Sequence, residues 1–455
     1  MNGIGGTIAA MQINVSVLVE HIEDTSPRGI AAGIARLLKA GTISAGDRLP
    51  TVRDVSRALG VSPATVSGAW RALADVGLVI ARGRAGTYML PGRTSWLPPR
   101  YKSMNEAMEP AAIDLSTGTP DPTLLPSIQR TLTRAARTIA GADTDSYVAP
   151  PVLPQLEAVI RESWPFRPQR LTVVDGALDA IGRVLDQVTT FGDRIGVEDP
   201  GFPPIFDLLE QSGRDRFRIP LDAHGITVAG LSAALRHGVR AVVVQPRAHN
   251  PTGVSITATR ARELAAVLRA HPDVVVIEDD HSGEVSVARD ISIGNFLPDQ
   301  VVRIRSYSKS HGPDLRIAAV GGPAIIIDPL VARRMLGPGW TSRLLQRLLF
   351  DLLTDADAIA AVSEARRVYY GRSHLLAAAL TDLGVAVTPG DGLNLWVPVH
   401  DEDAALTRLA GAGVRVAPGS VFTIAPASAH IRVSVSRPVE SIPELARILA
   451  LAARP

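Results

Sequence analysis

Apolar residues recur at helical spacing in the first part of the chain. Ile30 and Ile34 lie on one face of a predicted helix that spans about 26–40 and that Ser26 caps. A second helix is predicted over 51–59, and Ser62 begins a third that runs to about residue 76. Two helices joined by a short turn predict a helix-turn-helix, a motif whose second helix enters the major groove of DNA.

Two short runs typical of β-strands follow these helices. They cover residues 78–82 and 87–90, and glycines occur in the turn at 83–86 between them. This pattern predicts a β-hairpin. Arg82 and Arg84 lie close to its tip, so the sequence predicts a wing with basic side chains beside the helix-turn-helix.

The next segment has no sustained hydrophobic period. Residues 91–110 are rich in proline, serine and charge, which predicts a linker that is extended near Pro98 and Pro99. We therefore expect three parts: a DNA-binding domain of residues 1–90, the linker of 91–110, and a larger domain of 111–455.

The larger domain alternates helical stretches with short apolar runs. Strand-like runs buried between helices indicate an α/β fold with a mostly parallel sheet, in which ligands bind at the carboxyl ends of the strands. The runs are 171–174, 194–197, 241–245, 274–277, 301–304 and 317–320.

Composition excludes several classes of protein. The chain has 455 residues, of which 46% are hydrophobic and 20% charged, and no apolar stretch is long enough to span a membrane. It contains no cysteine, which excludes disulfide scaffolds, thiolate zinc sites and cysteine nucleophiles and favours a cytoplasmic location. We expect no metal site.

Positive charge is concentrated near the N-terminus. Residues 26–93 carry ten lysines and arginines against three aspartates, whereas the whole chain has a net charge of +2. A compact basic module joined to a nearly neutral body is typical of a nucleic-acid-binding domain. A solvated basic surface is the alternative that charge alone leaves open.

The order of residues in the basic module favours a DNA-binding domain over a merely solvated basic surface. The segment 46–53, Gly-Asp-Arg-Leu-Pro-Thr-Val-Arg, followed by Gly-Val-Ser at 60–62 and Thr-Val at 65–66, resembles the winged helix of GntR-type bacterial regulators. The sequence departs from better-known members at Pro63 and Ala64. The resemblance implies DNA contacts by Arg48, Arg53, Ser62, Thr65, Ser67, Arg82 and Arg84, although Arg48 is also explained as solvated surface.

Five short motifs mark the ends of strands in the larger domain. They begin at Gly176, Glu198, His249, Glu278 and Ser306. The last motif ends in Lys309, and Arg316 lies seven residues after that lysine. Such a set suits pyridoxal phosphate, which requires an amine for its aldehyde, a carboxylate for its ring nitrogen, and a helix N-terminus with an arginine for its phosphate.

The constellation is similar to that of fold-type I aminotransferases. The resemblance implies that Lys309 forms the Schiff base with the cofactor and that Asp279, rather than Asp280, pairs with the pyridinium nitrogen. It also implies that Asn250 donates to the 3-oxygen. Phosphate ligands would come from Gly176, Ala177, Leu178, Ser306, Ser308 and Arg316.

Further residues are implied at the edges of that site. Phe202 would stack on the cofactor ring, with ordinary core packing as the alternative. Tyr147 resembles a tyrosine that reaches the phosphate in the neighbouring subunit. Arg432 would grip a substrate or effector carboxylate, with a solvated edge position as its alternative. His281 stands where the family usually has tyrosine, and since histidine titrates near ~6.5, it predicts a pH-sensitive cofactor site.

Both halves in this order resemble the MocR family of bacterial transcriptional regulators. The implied fold is a winged helix-turn-helix plus an aminotransferase fold of type I, with a large, mostly parallel sheet domain and a smaller α+β domain. The implied function is control of transcription by a pyridoxal-phosphate-binding, effector-responsive homodimer, with an amino compound or the cofactor itself as effector. The alternative is an aminotransferase with an accessory DNA-binding domain.

Overall fold

The structure is a computed structural model of the whole chain. It describes residues 13–44, 46–75, 78–81, 86–90, 97–105, 112–138, 146–425 and 428–455. The chain divides into two compact units: Met1–Pro98 together with Asp207–Arg214 form the first, and the remaining residues form the second.

The first unit contains the predicted helices and hairpin, preceded by one helix that periodicity did not reveal. Its elements are α1 (Val15–His21), α2 (Pro27–Lys39), α3 (Val52–Leu59), α4 (Pro63–Asp75), β1 (Val79–Ala81) and β2 (Thr87–Met89). β1 and β2 pair antiparallel. This is the winged helix-turn-helix architecture that the sequence predicts.

Local sequence explains where these helices begin and end. The Ser26 hydroxyl accepts from the backbone N–H of Gly29 at the start of α2, and the Thr51 hydroxyl accepts from that of Asp54 at the start of α3. Gly60 ends α3 with φ of 69°, a left-handed conformation that glycine adopts without a steric penalty. α2 and α4 pack through a core that includes the fully buried Ile30 and Ile34.

A short helix lies inside the segment predicted as a linker. Helix α5 spans Pro99–Asn105, so the expectation of extended chain at Pro99 is wrong. Proline suits the first position of a helix because it needs no N–H partner there and its φ is already helical. Met104 is buried on this helix, and such tertiary packing stabilises a segment too short to be helical alone.

Beyond α5 the chain forms an α/β body. Its strands and helices are β3 (Ile113–Asp114), α6 (Ile128–Thr138), α7 (Pro154–Glu162), β4 (Arg170–Val174), α8 (Ala177–Val188), β5 (Arg194–Asp199), α9 (Pro203–Gln211), β6 (Asp215–Asp222), β7 (Gly225–Ile226), α10 (Val228–Arg236), β8 (Ala241–Val244), α11 (Ala258–Leu268), β9 (Val275–Asp280), β10 (Val301–Ser306), β11 (Ala318–Gly322), α12 (Ala324–Met335), α13 (Arg343–Thr354), α14 (Ala356–Asp382), β12 (Asn394–Pro398), α15 (Glu402–Gly411), β13 (Val414–Arg415), β14 (Ala417–Pro418), β15 (His430–Ser434) and α16 (Ile442–Ala453).

The body is organised around an eight-stranded sheet. Its strand order is β4-β11-β10-β9-β8-β5-β6-β7. The central pairs β10-β9, β9-β8, β8-β5 and β5-β6 are parallel, whereas β11 runs antiparallel to both of its neighbours and β7 to β6. The predicted mostly parallel α/β sheet is confirmed.

A smaller subdomain follows helix α14. It contains the antiparallel sheet β12-β15-β14 and the two-stranded parallel sheet β13-β3. Its core packs α14 and α16 against strand residues such as Leu395, Ile431 and Val433, all fully buried. β3, near the start of the body, therefore pairs with a strand near its end, and the predicted α+β subdomain is confirmed.

No helix in the described part of the chain is long and apolar enough to cross a membrane.

Candidate functional site

A cavity of about 180 Å³ opens at the carboxyl ends of the central strands. Most of the residues that the sequence assigned to the cofactor or effector site line it together. They are Ala177, Leu178, Phe202, Asn250, Asp279, His281, Ser306, Ser308, Lys309, Arg316 and Arg432. The tertiary structure therefore brings the separate strand-end motifs into one site, although their roles toward a cofactor stay predictions.

The start of α8 and Arg316 lie together in the wall of the cavity. Gly176 precedes the helix with φ of 116°, and a Cβ there would lie 2.6 Å from a guanidinium nitrogen of Arg316. The absence of a side chain thus lets the guanidinium approach the helix N-terminus. Arg316 also donates to the carbonyl oxygen of Asp175 at 3.2 Å. Free N–H groups at a helix start and a cation beside them suit a phosphate.

Two adjacent aspartates at the end of β9 face opposite ways because side chains alternate along a strand. Asp279 lines the cavity, where Gln245 Nε2 donates to its Oδ2 at 2.9 Å. Its Oδ1 is buried and has no hydrogen-bond partner among the described residues. Burial raises the pKa of Asp279 to about 7. This carboxyl therefore has one oxygen available to a partner in the cavity.

Asp280 points instead into a buried cluster of charges. Arg247 donates to both of its carboxylate oxygens at 2.8 Å, and Arg303 donates at 3.1 Å. Burial alone would raise the pKa of Asp280, but Arg303 and Arg247 hold it well below its usual range. Both carboxylate oxygens of Asp280 therefore accept hydrogen bonds from arginines, whereas one oxygen of Asp279 has no partner among the described residues.

Lys309 lies three residues beyond the end of β10 and is half-buried. Its Nζ donates to the carbonyl oxygen of Gly118. Burial, and then the charge of Arg432, lower the pKa of Lys309 to about 8. A lysine with a lowered pKa has a larger neutral fraction at physiological pH, which is the form that attacks a carbonyl carbon.

His281 is half-buried beside Lys309 and is not a group that titrates near neutrality. Burial, followed by the charge of Lys309, lowers the pKa of His281 to about 3. In this cavity the ring is therefore neutral at physiological pH. The pH sensitivity of a bound cofactor stays a prediction. Its Nε2 lies 3.1 Å from the Ser282 hydroxyl, and its Nδ1 is buried without a hydrogen-bond partner in the described structure.

Arg432 extends from β15 of the small subdomain into the same cavity. It donates to the carbonyl oxygen of Ser116 and, at 3.4 Å, to Asn250 Oδ1, and its guanidinium carbon lies 5.1 Å from the centre of the Phe422 ring. Burial lowers its pKa to about 10. The alternative of a solvated edge arginine is excluded, because Arg432 is buried.

Phe202 lies in the loop after β5, where it lines the cavity and also packs against apolar side chains. It is partly buried against a cluster of Met104, Ala417 and Phe422. The backbone N–H of Gly201 donates to the Phe422 carbonyl oxygen at 2.8 Å, which holds this loop against the small subdomain. Phe202 is thus both a cavity wall and a packing residue.

Tyr147 does not line the cavity. Its side chain is 86% exposed, and its ring centre lies 6.1 Å from that of Trp340. A role at the cofactor of a neighbouring subunit stays a prediction.

Sequence reasoning missed several cavity residues. Tyr101 and Met104 come from α5, and Thr117, Gly118 and Thr119 come from the loop after β3. The loop carried no recognisable motif. Tyr101 and Met104, three residues apart in the proline-rich segment, were the only signal for α5, and two apolar residues cannot establish a helical period.

The predicted DNA-contacting residues lie on the first unit. Arg53 is exposed on α3, and the Ser62 hydroxyl caps α4 by accepting from the Thr65 N–H at 3.1 Å. Arg48 forms a β-bridge with Tyr88 of the hairpin, and Ser67 is half-buried on α4. Arg82 and Arg84 lie outside the described residues.

In the described ranges, no group of three or more histidine and carboxylate side chains is arranged to hold a metal ion.

Comparison with known proteins agrees with this two-part architecture. Residues 28–89 match the gntR family of bacterial regulatory proteins, and residues 110–449 match the aminotransferase class I and II family. The vitamin B6 salvage pathway transcriptional repressor PtsJ of Salmonella typhimurium is 35% identical over 421 residues, which cover 91% of this chain and 95% of PtsJ. The chain belongs to the MocR-type GntR regulators.

Other relatives of this MocR-type regulator carry both halves or the second alone. The pyridoxine biosynthesis transcriptional regulator PdxR of Corynebacterium glutamicum is 26% identical, over 89% of this chain and 91% of PdxR. The α-aminoadipate aminotransferase LysN of Thermus thermophilus, solved with N-(5'-phosphopyridoxyl)-L-leucine, superposes with a TM-score of 0.68 at 21% identity and covers 77% of this chain and 94% of LysN. The body therefore has the fold of aminotransferases.

Proposed function

We propose that this MocR-type regulator binds pyridoxal phosphate in the cavity of Lys309 and uses its occupancy to control the affinity of the winged helix for DNA. The observation that carries the proposal is that a half-buried lysine with a lowered pKa, a buried carboxyl oxygen without a partner, and an arginine at a helix start line one cavity. These are the three groups that the aldehyde, the ring nitrogen and the phosphate require.

The polar atoms left unpaired in the cavity support the fit. Asp279 Oδ1 and His281 Nδ1 are buried without hydrogen-bond partners among the described residues. A buried polar atom without a hydrogen bond lowers the stability of the folded protein by on the order of 1–3 kcal/mol, so a ligand that pairs with it is favoured. A bound pyridinium N–H would donate to Asp279 Oδ1, and a ring oxygen of the cofactor would be a suitable hydrogen-bond partner for His281 Nδ1.

Each residue then has a defined task. Asp279 becomes ionised when a positive charge lies opposite it, because the attraction outweighs the burial that now raises its pKa. Lys309 supplies a neutral amine, and Arg316 with the start of α8 holds the phosphate. The cofactor, when bound, supplies an aldehyde that links covalently to amines.

The names of two relatives support a proposal for the sensed ligand and the target genes. PtsJ is described as a repressor of the vitamin B6 salvage pathway, and PdxR as a regulator of pyridoxine biosynthesis. We infer that this chain likewise regulates vitamin B6 genes in the cytoplasm, with pyridoxal phosphate itself as the effector. An amino compound whose carboxylate binds Arg432 is the second candidate effector, which the burial of that arginine in the cavity supports.

DNA binding by the first unit is proposed to use Arg53, Ser62, Thr65 and Ser67 of the helix-turn-helix, with Arg48 nearby. Arg82 and Arg84 complete the proposed interface from the wing. In this division residues 1–90 bind DNA and residues 111–455 bind the ligand. Residues 91–110 connect the two parts and also contribute Tyr101 and Met104 to the cavity lining.

We further propose that the chain acts as a head-to-tail homodimer in which Tyr147 reaches the cavity of the neighbouring subunit. The exposure of two adjacent large residues supports this: Tyr147 is 86% and Val148 94% exposed. Neighbouring exposed apolar side chains are typical of an interface. A dimer would also present two winged helices to two half-sites at a fixed spacing.

The experiment uses the full chain and a DNA duplex that the protein itself selects from a random pool. Pyridoxal phosphate is expected to produce a visible absorption band and to change the Kd for DNA by about 5- to 150-fold, the usual range of coupling between two sites. Lys309→Ala is expected to remove both effects, whereas Lys102→Ala, at another lysine, keeps the band. An unchanged band in Lys309→Ala would refute the assignment of the site.

A further inference from the structure

The side chain of Gln245 lies behind Asp279 and does not line the cavity. Gln245 follows the last residue of β8, and β8 pairs with β9 so that Val244 lies opposite Glu278. The next pair in this register is Gln245 and Asp279. Both residues are buried, and Gln245 Nε2 donates to Asp279 Oδ2 at 2.9 Å. One amide therefore holds the cavity carboxyl from behind.

The backbone fixes the orientation of this amide. Gln245 Oε1 accepts from the backbone N–H of Asn250 at 2.9 Å. A backbone N–H only donates, so the amide oxygen must face Asn250 and the amide NH₂ must face Asp279. Turning the amide over would place two donors against each other. Gln245 is thus a donor to Asp279 whether or not that carboxyl is ionised.

This donor decides which oxygen of Asp279 carries a proton. Burial raises the pKa of Asp279 to about 7, although the hydrogen bond from Gln245 lowers it, so a large part of the ligand-free protein carries this proton near neutrality. Oδ2 accepts from Gln245, whereas Oδ1 has no partner among the described residues. The carbonyl oxygen of a carboxylic acid is the better acceptor, so the proton is held on Oδ1.

Charged groups on the neighbouring elements act on the same carboxyl. After burial and the bond from Gln245, the charges of Asp280 and Glu198 raise the pKa of Asp279, and that of Arg303 lowers it. Lys309 also faces Asp279, whose charge raises the pKa of the lysine against the larger effect of burial. Two anions and two cations thus surround Asp279, and Gln245 is the neutral donor among them.

The backbone of Gln245 is held by a second carboxylate. Glu198 Oε2 accepts from the backbone N–H of Gln245 at 2.9 Å and lies 3.3 Å from His249 Nε2. A carboxyl introduced at position 245 would therefore lie between Glu198 and Asp279. Burial and these two neighbours would keep it protonated to a higher pH than an ordinary glutamate.

We infer that Gln245 is a positioning residue that keeps the proton of Asp279 on Oδ1, where a pyridine nitrogen in the cavity receives it. The inference rests on the proposed function, because it takes pyridoxal phosphate as the ligand. For a ring nitrogen that arrives unprotonated, the O–H bond of Asp279 breaks and an N–H bond forms, which leaves a carboxylate opposite a pyridinium. The proton comes from the protein, and Gln245 then stabilises the new carboxylate through Oδ2.

Gln245→Met removes the donor and keeps the length of the side chain. The Kd for pyridoxal phosphate is expected to rise about 10- to 150-fold, the range for a hydrogen bond to a charged group. Titration of the visible absorption of the full-length protein between about pH 6 and pH 9 measures this Kd. Each value is divided by the wild-type value at the same pH, so the titration of Lys309 cancels. The ratio for Gln245→Met is expected to be the same at every pH.

Gln245→Glu separates the donor from the shape of the side chain. While protonated, the introduced carboxyl presents one oxygen to Asn250 and donates from the other to Asp279, as the amide does. The Kd at about pH 6 is therefore expected to be close to that of wild type. Once it loses the proton, the introduced carboxylate repels the ionised Asp279. The Kd ratio is then expected to rise by up to about 10-fold for each pH unit.

Gln169 provides the matched control outside the cavity. Its Nε2 donates to Asp299 Oδ1 at 2.8 Å, and its Oε1 accepts from the backbone N–H of Ala324 at 2.9 Å, so it makes the same two kinds of hydrogen bond. Gln169→Glu is expected to keep the wild-type Kd at every pH.

The outcomes separate the inference from the proposed function. A Kd ratio for Gln245→Glu that does not change with pH, or that already equals the ratio for Gln245→Met at about pH 6, would show that Gln245 only fills space and would overturn the inference. The same pH dependence in Gln169→Glu would assign the effect to added charge and overturn it too. Both results leave the proposed function intact. The absence of any visible band in wild type would overturn the proposed function and this inference with it.

Discussion

Asp279 is predicted to destabilise the ligand-free protein, and replacing it by asparagine should stabilise the fold. The carboxyl is buried, and its pKa rises from an ordinary 3.8 to about 7 on folding. Because the folded-state pKa lies above the unfolded one, the folded protein keeps the proton more tightly. Below about pH 3.8 the buried carboxyl is protonated in both states and its ionisation costs no stability. As the pH rises from there through about 7, the free energy of unfolding falls.

The magnitude follows from the size of this shift. At 1.36 kcal/mol for each pKa unit, the buried carboxyl lowers the free energy of unfolding by about 2 kcal/mol near pH 5 and by about 4 kcal/mol near pH 8. Asp279→Asn cannot ionise and keeps an oxygen for the hydrogen bond from Gln245. The variant without ligand should therefore gain stability with rising pH relative to wild type, while its affinity for pyridoxal phosphate falls.

Urea unfolding of the ligand-free full-length protein at several pH values measures this difference. The neighbouring substitution Asp280→Asn is the matched control, because Asp280 is paired with Arg247 and Arg303. Removing one partner from a buried charge cluster costs on the order of 3–5 kcal/mol, so the two substitutions should have opposite signs. A destabilised Asp279→Asn variant, or a difference from wild type that does not grow with pH, would refute the reasoning.

The other predictions concern the lysine, the DNA contacts and turnover. Capture of pyridoxal phosphate should accelerate as the pH rises through about 8, because the neutral amine of Lys309 attacks the aldehyde; a flat rate profile in stopped-flow absorbance would contradict this. Arg53→Ala should lower the slope of log K against log[salt] for DNA by about one while leaving the visible spectrum unchanged, and an unaltered slope would exclude a phosphate contact. Amino-acid and keto-acid pairs should not turn over at about 1 s⁻¹ or faster; steady-state transamination at such a rate would favour the enzyme instead.

The strand-end motifs show how far local sequence reaches in this protein. Ala177, Phe202, Asn250, Asp279 and Lys309 lie at or beyond the carboxyl ends of different strands, and a parallel sheet must bring these ends to one edge. Their convergence in one cavity was therefore predictable once the strands were. The choice of Asp279 over Asp280 was also predictable in principle, because strand alternation allows only one of two adjacent residues to face the cavity.

The protonation of the site was not predictable in the same way. His281 was expected to titrate near neutrality, and the structure instead lowers its pKa to about 3. Desolvation depends on how many atoms from distant parts of the chain surround the ring, together with the charge on Lys309. Neither quantity is a property of the residues next to His281.

Local physical chemistry, readable from sequence alone, determined the helix caps, the left-handed turn at Gly60, the alternation of helices and buried strands, and the residue types available for a cofactor. Each of these depends on interactions within a few residues or on a period of the chain. The tertiary structure decided that α5 forms in the predicted linker and becomes a wall of the cavity, and that Arg432 is buried beside Lys309. It also decided which carboxyl oxygen remains without a partner. These features depend on burial against residues up to several hundred positions away, and packing over such distances is not encoded in any local period.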